Sequence, residues 1–206
     1  MNIHKGKNMD ASGIILAGGR STRMGSDKTL LLFNHETLME RTVNELRGVV
    51  DEIIIASNHT EKYNIPGTVE VLDTYTGVGP LGGIHAGLIA AKHKYAFIIS
   101  GDLPFFNGQL ATVLLKNRAD YDAVVPVIKG RLEPLCAVYS QSCIEPIANC
   151  LEANIKKVVQ VYSQIRILTI DEDELDIAGE AEKMFYNLNT PQDLQRLLST
   201  HKEVLA

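Results

Sequence analysis

The chain has 206 residues, of which 45% are hydrophobic and 22% are charged, and its formal net charge at pH 7 is −5. These proportions are close to those of ordinary globular proteins and exclude an intrinsically disordered chain. The negative charge, without any basic run, argues against a nucleic-acid-binding protein, and no apolar stretch reaches the roughly 18 residues that a membrane-spanning helix needs.

The length predicts one domain at residues 11–206, preceded by a flexible N-terminal extension at residues 1–10. The 3 cysteines are an odd number and occur without a secretion signal, which is typical of a reducing compartment. We therefore expect a cytoplasmic protein with small buried thiols, and neither a membrane nor a nucleic acid as its partner.

Short apolar runs alternate with helical patterns along most of the chain. Strands are predicted, in chain order, at residues 13–17, 52–56, 69–72, 95–100, 123–127, 133–140, 166–170 and 185–189. Helices are predicted at residues 37–50, 84–92, 109–118, 142–153 (capped by Ser142) and 155–163, and a last helix opens at Thr190. This alternation predicts βαβ units and a largely parallel sheet with helices on both faces, so the predicted fold class is α/β.

The first strand opens into a loop of small and basic residues that runs from Gly18 to Lys28. Glycine lacks the Cβ atom that would keep a ligand away from the backbone, and free N–H groups in a tight turn bind anions. Arg20, Arg23 and Lys28 add positive charge for phosphates. The spacing excludes a Walker loop and a Rossmann fingerprint. The pattern favours a loop that binds the phosphates of a nucleoside triphosphate. Composition alone also allows an ordinary glycine-rich turn.

Polar side chains follow three other predicted strands, namely Asn58, Asp73 and Asp102. In open α/β sheets ligands bind beyond the carboxyl ends of the strands, so these residues should lie at the same edge as the glycine-rich loop. Mg²⁺ prefers one or two carboxylates together with phosphate oxygens and water, which makes Asp102 the candidate metal ligand. The alternative role for all three is to start turns or cap helices.

Several segments resemble the molybdenum cofactor guanylyltransferases, the MobA family of nucleotidyltransferases. The matching residues are Leu16-Ala17-Gly18-Gly19, Ser21, Arg23-Met24-Gly25, Asp27-Lys28, Gly101-Asp102-Leu103-Pro104, Arg131-Leu132-Glu133-Pro134-Leu135 and Asn187-Leu188-Asn189-Thr190-Pro191-Gln192-Asp193. Residues 79–83 also match, except that Gly82 stands where alanine is usual. The resemblance covers nearly the whole chain and implies a single Rossmann-like nucleotidyltransferase domain.

The resemblance also implies a role for each matching position. The implied nucleotide-binding residues are Leu16, Ala17, Gly18, Gly19, Lys28, Asn58, Asp73, Gly82 and Asp102. The implied catalytic residues are Lys28, Asp102 and Arg23, with Asp102 as the ligand of an Mg²⁺ cofactor, and the implied acceptor-binding residues are Arg131, Glu133, Asn187 and Asn189. For the two asparagines, turn formation and helix capping are an equal alternative.

A member of this family transfers GMP from GTP to molybdopterin, forming the guanine dinucleotide cofactor and pyrophosphate. The implied substrates are GTP and molybdopterin, and the candidate protein partners are cofactor-synthesis proteins and molybdoenzymes. Gly18 and Leu103 favour GTP, because the cytidine-using relatives usually carry Ala-Ala-Gly and glutamine at these places. The alternatives are a related cytidylyltransferase or sugar-phosphate nucleotidyltransferase, and a non-catalytic GTP-binding protein that escorts the cofactor.

Overall fold

A computed structural model describes residues 8–17, 28–33, 35–59, 61–75, 77–175 and 181–186. The strands are β1 (Met9–Leu16), β2 (Leu32–Phe33), β3 (Glu36–Thr37), β4 (Val50–Ser57), β5 (Thr68–Leu72), β6 (Tyr95–Ser100), β7 (Ala123–Ile128), β8 (Arg131–Leu132), β9 (Cys136–Ser140) and β10 (Ile167–Asp171). The α-helices are α1 (Leu38–Arg47), α2 (Pro80–Ala90), α3 (Gly108–Lys116), α4 (Ile144–Glu152) and α5 (Ala181–Met184). Short 3₁₀ segments occupy Lys28–Leu30, Gln141–Cys143, Val158–Gln164 and Glu172–Leu175.

One eight-stranded sheet has the main order β10-β7-β9-β6-β1-β4-β5, with β8 paired to β7, while β2 and β3 form a separate small pair. The central strand β1 pairs in parallel with β4 on one side and with β6 on the other. The pairs β4–β5 and β7–β10 are also parallel, whereas β9 runs antiparallel to both β6 and β7. The predicted α/β fold with a largely parallel sheet is therefore confirmed.

Helices cover both faces of this sheet. The buried cluster on one face contains Ile15 of β1 together with apolar residues of α1 and α3. The cluster on the other face contains the adjacent β1 residue Ile14 together with apolar residues of α2 and α4. Successive side chains of a strand point to opposite faces, so a continuous apolar run such as β1 supplies both clusters.

The start of α1 is set by a capping box. The Thr37 hydroxyl accepts a hydrogen bond from the Glu40 backbone N–H at 3.1 Å, and the Glu40 carboxylate accepts one from the Thr37 N–H at 2.8 Å. Two donors of the first turn are thereby satisfied. The helix ends at Arg47 rather than at residue 50, because Val50 already belongs to β4.

Strand β1 and helix α2 each begin four residues earlier than predicted. Strand β1 starts at Met9, whose N–H donates to the Val49 carbonyl at 2.8 Å, so the sheet includes residues that were expected to belong to the extension. Helix α2 starts at Pro80 rather than at residue 84. Proline is compatible with the first helical position because its missing N–H has no partner there in any helix.

The second half of the chain differs more from expectation. Ser140, not Ser142, is the cap: its hydroxyl accepts from the Ser142 N–H at 3.3 Å and opens a 3₁₀ turn before α4. The segment expected as a helix at residues 155–163 forms the 3₁₀ segment Val158–Gln164. Phe185 and Tyr186 are not in a strand, and the remainder of that predicted strand, with the helix opening at Thr190, lies outside the described residues.

The thiols of Cys136, Cys143 and Cys150 are free and buried, as predicted. Within the described ranges, no helix is both long enough and apolar enough to span a membrane.

Gly87 lies where helix α2 packs closely on β1. A Cβ atom there would lie 2.5 Å from Cγ2 of Ile14, a fully buried side chain of the central strand. We expect Gly87→Ala to lower the free energy of unfolding by about 1–3 kcal/mol through overpacking, although alanine is the better helix former. Urea unfolding followed by circular dichroism measures this change. The control is Gly48→Ala, where the added methyl group meets no atom within 4 Å, and equal stability of the two variants would contradict the packing argument.

Candidate active site

The carboxyl ends of β5, β4, β1 and β6 lie side by side, at the point where the chain crosses from one side of β1 to the other. The Asp73 N–H donates to the Ser57 carbonyl at 3.1 Å, and the Ala17 N–H donates to the Ala56 carbonyl at 2.8 Å. The Gly101 N–H donates to the Leu16 carbonyl at 3.1 Å, which joins the end of β6 to the end of β1. Such a topological switch point is where open α/β sheets bind their ligands.

Asp102 is held at the end of β6 by contacts on both sides. Its Oδ1 atom accepts a hydrogen bond from the Ser100 hydroxyl at 2.6 Å, and the side chain is half-buried. The segment that follows is tied to α1, because Arg41 Nε donates to the Pro104 carbonyl at 2.8 Å and the Gly108 N–H donates to the Glu45 carboxylate at 2.9 Å. The carboxylate therefore has a rigid backbone setting at the edge of the sheet.

The Asp102 carboxylate can also hold a cation. A carboxylate offers about four lone-pair sites, and the Ser100 hydroxyl takes one of them. Within the described ranges no group of three or more histidine, cysteine or acidic side chains is placed to bind a metal. A single carboxylate that shares an ion with phosphate oxygens and water is the arrangement that suits Mg²⁺, so Asp102 fits the predicted role.

Asp73 lies against the first turn of α2. Its Oδ1 atom accepts from the Tyr75 N–H at 2.9 Å. Burial raises the pKa of Asp73, while that hydrogen bond and the charge of His85 act in the opposite direction. A Cβ atom at Gly82 would overlap the Asp73 carboxylate, so this placement of Asp73 requires glycine at position 82. Glycine at position 82 therefore makes room for a negative charge at the positive end of the helix.

The other predicted nucleotide-binding residues are distributed around the same strand ends. Leu16 is buried and Ala17 is half-buried at the end of β1, and Asn58 is exposed directly after β4. The backbone of Lys28 begins the 3₁₀ turn Lys28–Leu30. Gly18, Gly19 and Arg23 lie outside the described residues.

Two of the predicted acceptor residues, Arg131 and Glu133, lie beyond β6 on the side away from β5. Because β9 is antiparallel to β6, the start of β9 adjoins the end of β6, and the Ser100 N–H donates to the Leu135 carbonyl at 2.9 Å. Glu133 is half-buried, and burial raises its pKa while the charge of Arg131 lowers it. Arg131 itself is exposed on β8. Asn187 and Asn189 lie outside the described ranges.

The sequence did not single out Ser100 or His85. Ser100 is the last residue of an apolar strand two positions before Asp102, which is a usable signal for a side chain that orients the carboxylate. His85 is the polar residue in a helix of small and apolar side chains, and its ring meets that of Tyr75 edge-on at 5.2 Å. Its Nδ1 atom is buried and has no hydrogen-bond partner in the part of the chain that the structure describes. Burial lowers the pKa of His85, and the charge of Asp73 acts in the opposite direction.

Comparison with known proteins gives consistent matches. Residues 13–166 match the family model of the MobA-like NTP transferase domain. A probable molybdenum cofactor guanylyltransferase from Pelotomaculum thermopropionicum is 38% identical over 186 residues, which cover 90% of this chain and 91% of the relative. The molybdenum cofactor guanylyltransferase from Desulfosudis oleivorans is 37% identical over 191 residues, which cover 91% and 95%. The crystal structure of molybdopterin-guanine dinucleotide biosynthesis protein A from Archaeoglobus fulgidus shares the fold, with a TM-score of 0.79, 22% identity and coverage of 93% and 99%.

Proposed function

This chain belongs to the family of MobA-like NTP transferase domains, and from that membership we propose that it transfers GMP from GTP to molybdopterin, forming the guanine dinucleotide cofactor and pyrophosphate. The observation that carries the proposal is the extent of the likeness to relatives named molybdenum cofactor guanylyltransferase, which reaches 38% identity over 90% of the chain. The arrangement of polar groups at the carboxyl edge supports it.

The reaction requires positioning and charge stabilisation more than proton abstraction. The terminal phosphate of molybdopterin attacks the α-phosphorus of GTP. A new P–O bond forms there, the bond to the oxygen that bridges to the β-phosphate breaks, and pyrophosphate leaves with that electron pair. The attacking phosphate is already an anion near neutral pH, so the reaction needs no strong general base. The proposal accordingly assigns none.

The strand order suggests which part of the carboxyl edge binds each substrate. The nucleotide would occupy the ends of β1, β4 and β5, where Asn58 and Asp73 lie. Molybdopterin would occupy the region of β8 and the start of β9, where Arg131 of β8 offers a cation to a phosphate. Asp102, at the end of β6, lies between these regions. This placement suits a group that faces the reacting phosphates.

Asp102 would hold Mg²⁺, with Ser100 orienting the carboxylate through the 2.6 Å hydrogen bond. When bound, the ion neutralises phosphate charge and lowers the barrier for the displacement. Lys28, at the end of the glycine-rich loop, would supply a second positive charge to the triphosphate. Arg23 of the same loop is proposed to assist it.

The choice of GTP over CTP is tested by synthesis of the dinucleotide cofactor at equal concentrations of the two nucleotides, with pyrophosphate release followed in parallel. We expect at least a roughly tenfold preference for GTP, which corresponds to about 1.4 kcal/mol. Gly18→Ala should reduce this preference, because a methyl group would reduce the room for a two-ring base near the backbone.

The same assay separates the alternatives. Preference for CTP in the wild-type protein would assign it to the cytidine-using relatives instead. Tight GTP binding without pyrophosphate release, in the presence of molybdopterin, would indicate a non-catalytic escort of the cofactor. Turnover of a sugar phosphate in place of molybdopterin would move the assignment to the sugar-phosphate nucleotidyltransferases.

A further inference from the structure

The loop between β4 and β5 reaches across the edge of the sheet to the 3₁₀ turn that contains Lys28. The Tyr63 hydroxyl lies 3.0 Å from Oγ1 of Thr29, at hydrogen-bonding distance, and either group can be the donor. Thr29 directly follows Lys28, the residue proposed to bind the triphosphate. A side chain from a distant loop thus contacts the residue that follows the glycine-rich loop.

The backbone around Tyr63 is held in place by hydrogen bonds. The Glu70 carboxylate, on β5, accepts hydrogen bonds from the backbone N–H groups of Lys62, Tyr63 and Asn64 at 3.0, 3.0 and 2.8 Å. Asn64 adopts a left-handed conformation (φ 48°), and its side-chain amide donates to the Glu61 carbonyl at 2.8 Å. The Tyr63 side chain is half-buried and packs against the cluster that α1 and α3 form with the sheet. The loop therefore presents the hydroxyl from a defined position.

Thr29 occupies the space between this hydroxyl and the turn that carries Asp102. Its exposed fraction is 7%, so its position is set by packing. A Cβ atom at Gly101 would lie 3.0 Å from Cγ2 of Thr29, which shows how closely the threonine methyl group approaches the backbone beside Asp102. One face of Thr29 thus meets Tyr63 and the other meets the end of β6.

We propose that Tyr63 is a positioning residue of the active site, because its hydroxyl holds Thr29 against the Gly101–Asp102 turn. This contact fixes the position of the 3₁₀ turn that begins at Lys28 relative to Asp102. The proposal rests on the proposed function for its kinetic consequence. Its structural part rests on contacts among described residues. Tyr63 touches neither substrate in this account and acts through Thr29.

The test combines Tyr63→Phe with Thr29→Val, each of which removes one hydroxyl and keeps the side-chain shape. In pyrophosphate-release kinetics we expect each variant to lower kcat/KM for GTP by about 3- to 10-fold, the range that corresponds to one hydrogen bond of ordinary strength. The KM for molybdopterin should not change, whereas a general loss of structure would lower kcat/KM for both substrates. The double variant should lose no more than either single variant, because both remove the same interaction.

Hydrogen–deuterium exchange of the nucleotide-free protein gives a readout that does not depend on activity. Peptides that cover residues 28–33 should exchange faster in both single variants than in the wild type, because the 3₁₀ turn has lost its contact. The matched control is Tyr95→Phe, which removes a tyrosine hydroxyl at the start of β6, at the opposite edge of the sheet. It should leave both readouts unchanged.

The outcomes are distinguishable. Additive losses in the double variant, or unchanged exchange over residues 28–33, would overturn the role of Tyr63. Faster exchange with an unaltered kcat/KM for GTP would also overturn it, since the contact would then have no effect on the site. If the wild-type protein uses CTP instead, the guanine assignment fails, and the same variants are compared with CTP because the contact concerns phosphates and not the base.

Discussion

Replacing Asp102 by alanine is expected to reduce turnover by roughly 10²- to 10⁴-fold, the equivalent of several kcal/mol of barrier, while leaving the fold intact. The carboxylate lies at the end of β6 with one oxygen hydrogen-bonded to Ser100, and it is the proposed ligand of the ion that stabilises the phosphates. The measurement is the steady-state rate of pyrophosphate release from GTP with molybdopterin, over a series of Mg²⁺ concentrations. Circular dichroism and the unfolding midpoint report on the fold.

Two further variants make this result specific. Asp51→Ala removes a carboxylate at the amino end of β4, where it pairs with His93 at 3.7 Å, and it should not affect the rate. Ser100→Ala keeps the Asp102 charge but removes the group that orients it, so the Mg²⁺ concentration for half-maximal activity should rise by about 10- to 100-fold. Near-normal turnover of a folded Asp102→Ala protein would show that the metal lies elsewhere.

Replacing Lys28 by alanine is expected to lower kcat/KM for GTP by roughly 10- to 100-fold and to weaken GDP binding less. A charge-assisted hydrogen bond contributes about 1.5–3 kcal/mol, and every 1.4 kcal/mol is a factor of ten. The difference between the nucleotides follows if the ammonium group contacts the outer phosphates, which GDP only partly supplies. The measurement is a comparison of GTP kinetics with GDP titrations by calorimetry.

The control for this change is Lys116→Ala, which removes an exposed lysine in the last turn of α3. Two residues after Lys116, the Arg118 side chain lies over the ring of Tyr95 at the start of β6, which is the amino edge of the sheet. Lys116 is therefore remote from the proposed site at the carboxyl edge. If Lys28→Ala lowers kcat/KM for GTP and the affinity for GDP by equally small factors, Lys28 only contributes to the surface charge.

Much of the fold could be predicted because local patterns report it. Strand β6 begins and ends where the sequence predicts, at Tyr95 and Ser100, since a continuous apolar run stops at a Gly-Asp pair. The placement of Asn58, Asp73 and Asp102 at one edge also follows from sequence, because parallel strands bring their carboxyl ends together. The roles of these residues remain predictions, and the variants above test the role of Asp102.

The sequence by itself determined the order of strands and helices, the α/β class and the family, because each depends on periodicity or on motifs of neighbouring residues. Only the tertiary structure decided the antiparallel direction of β9, the fit of Gly82 against Asp73 and the contact of Tyr63 with Thr29. The last of these joins residues 34 positions apart. Such contacts depend on how separate elements pack and not on the residues around each position, so no local pattern in the chain predicts them.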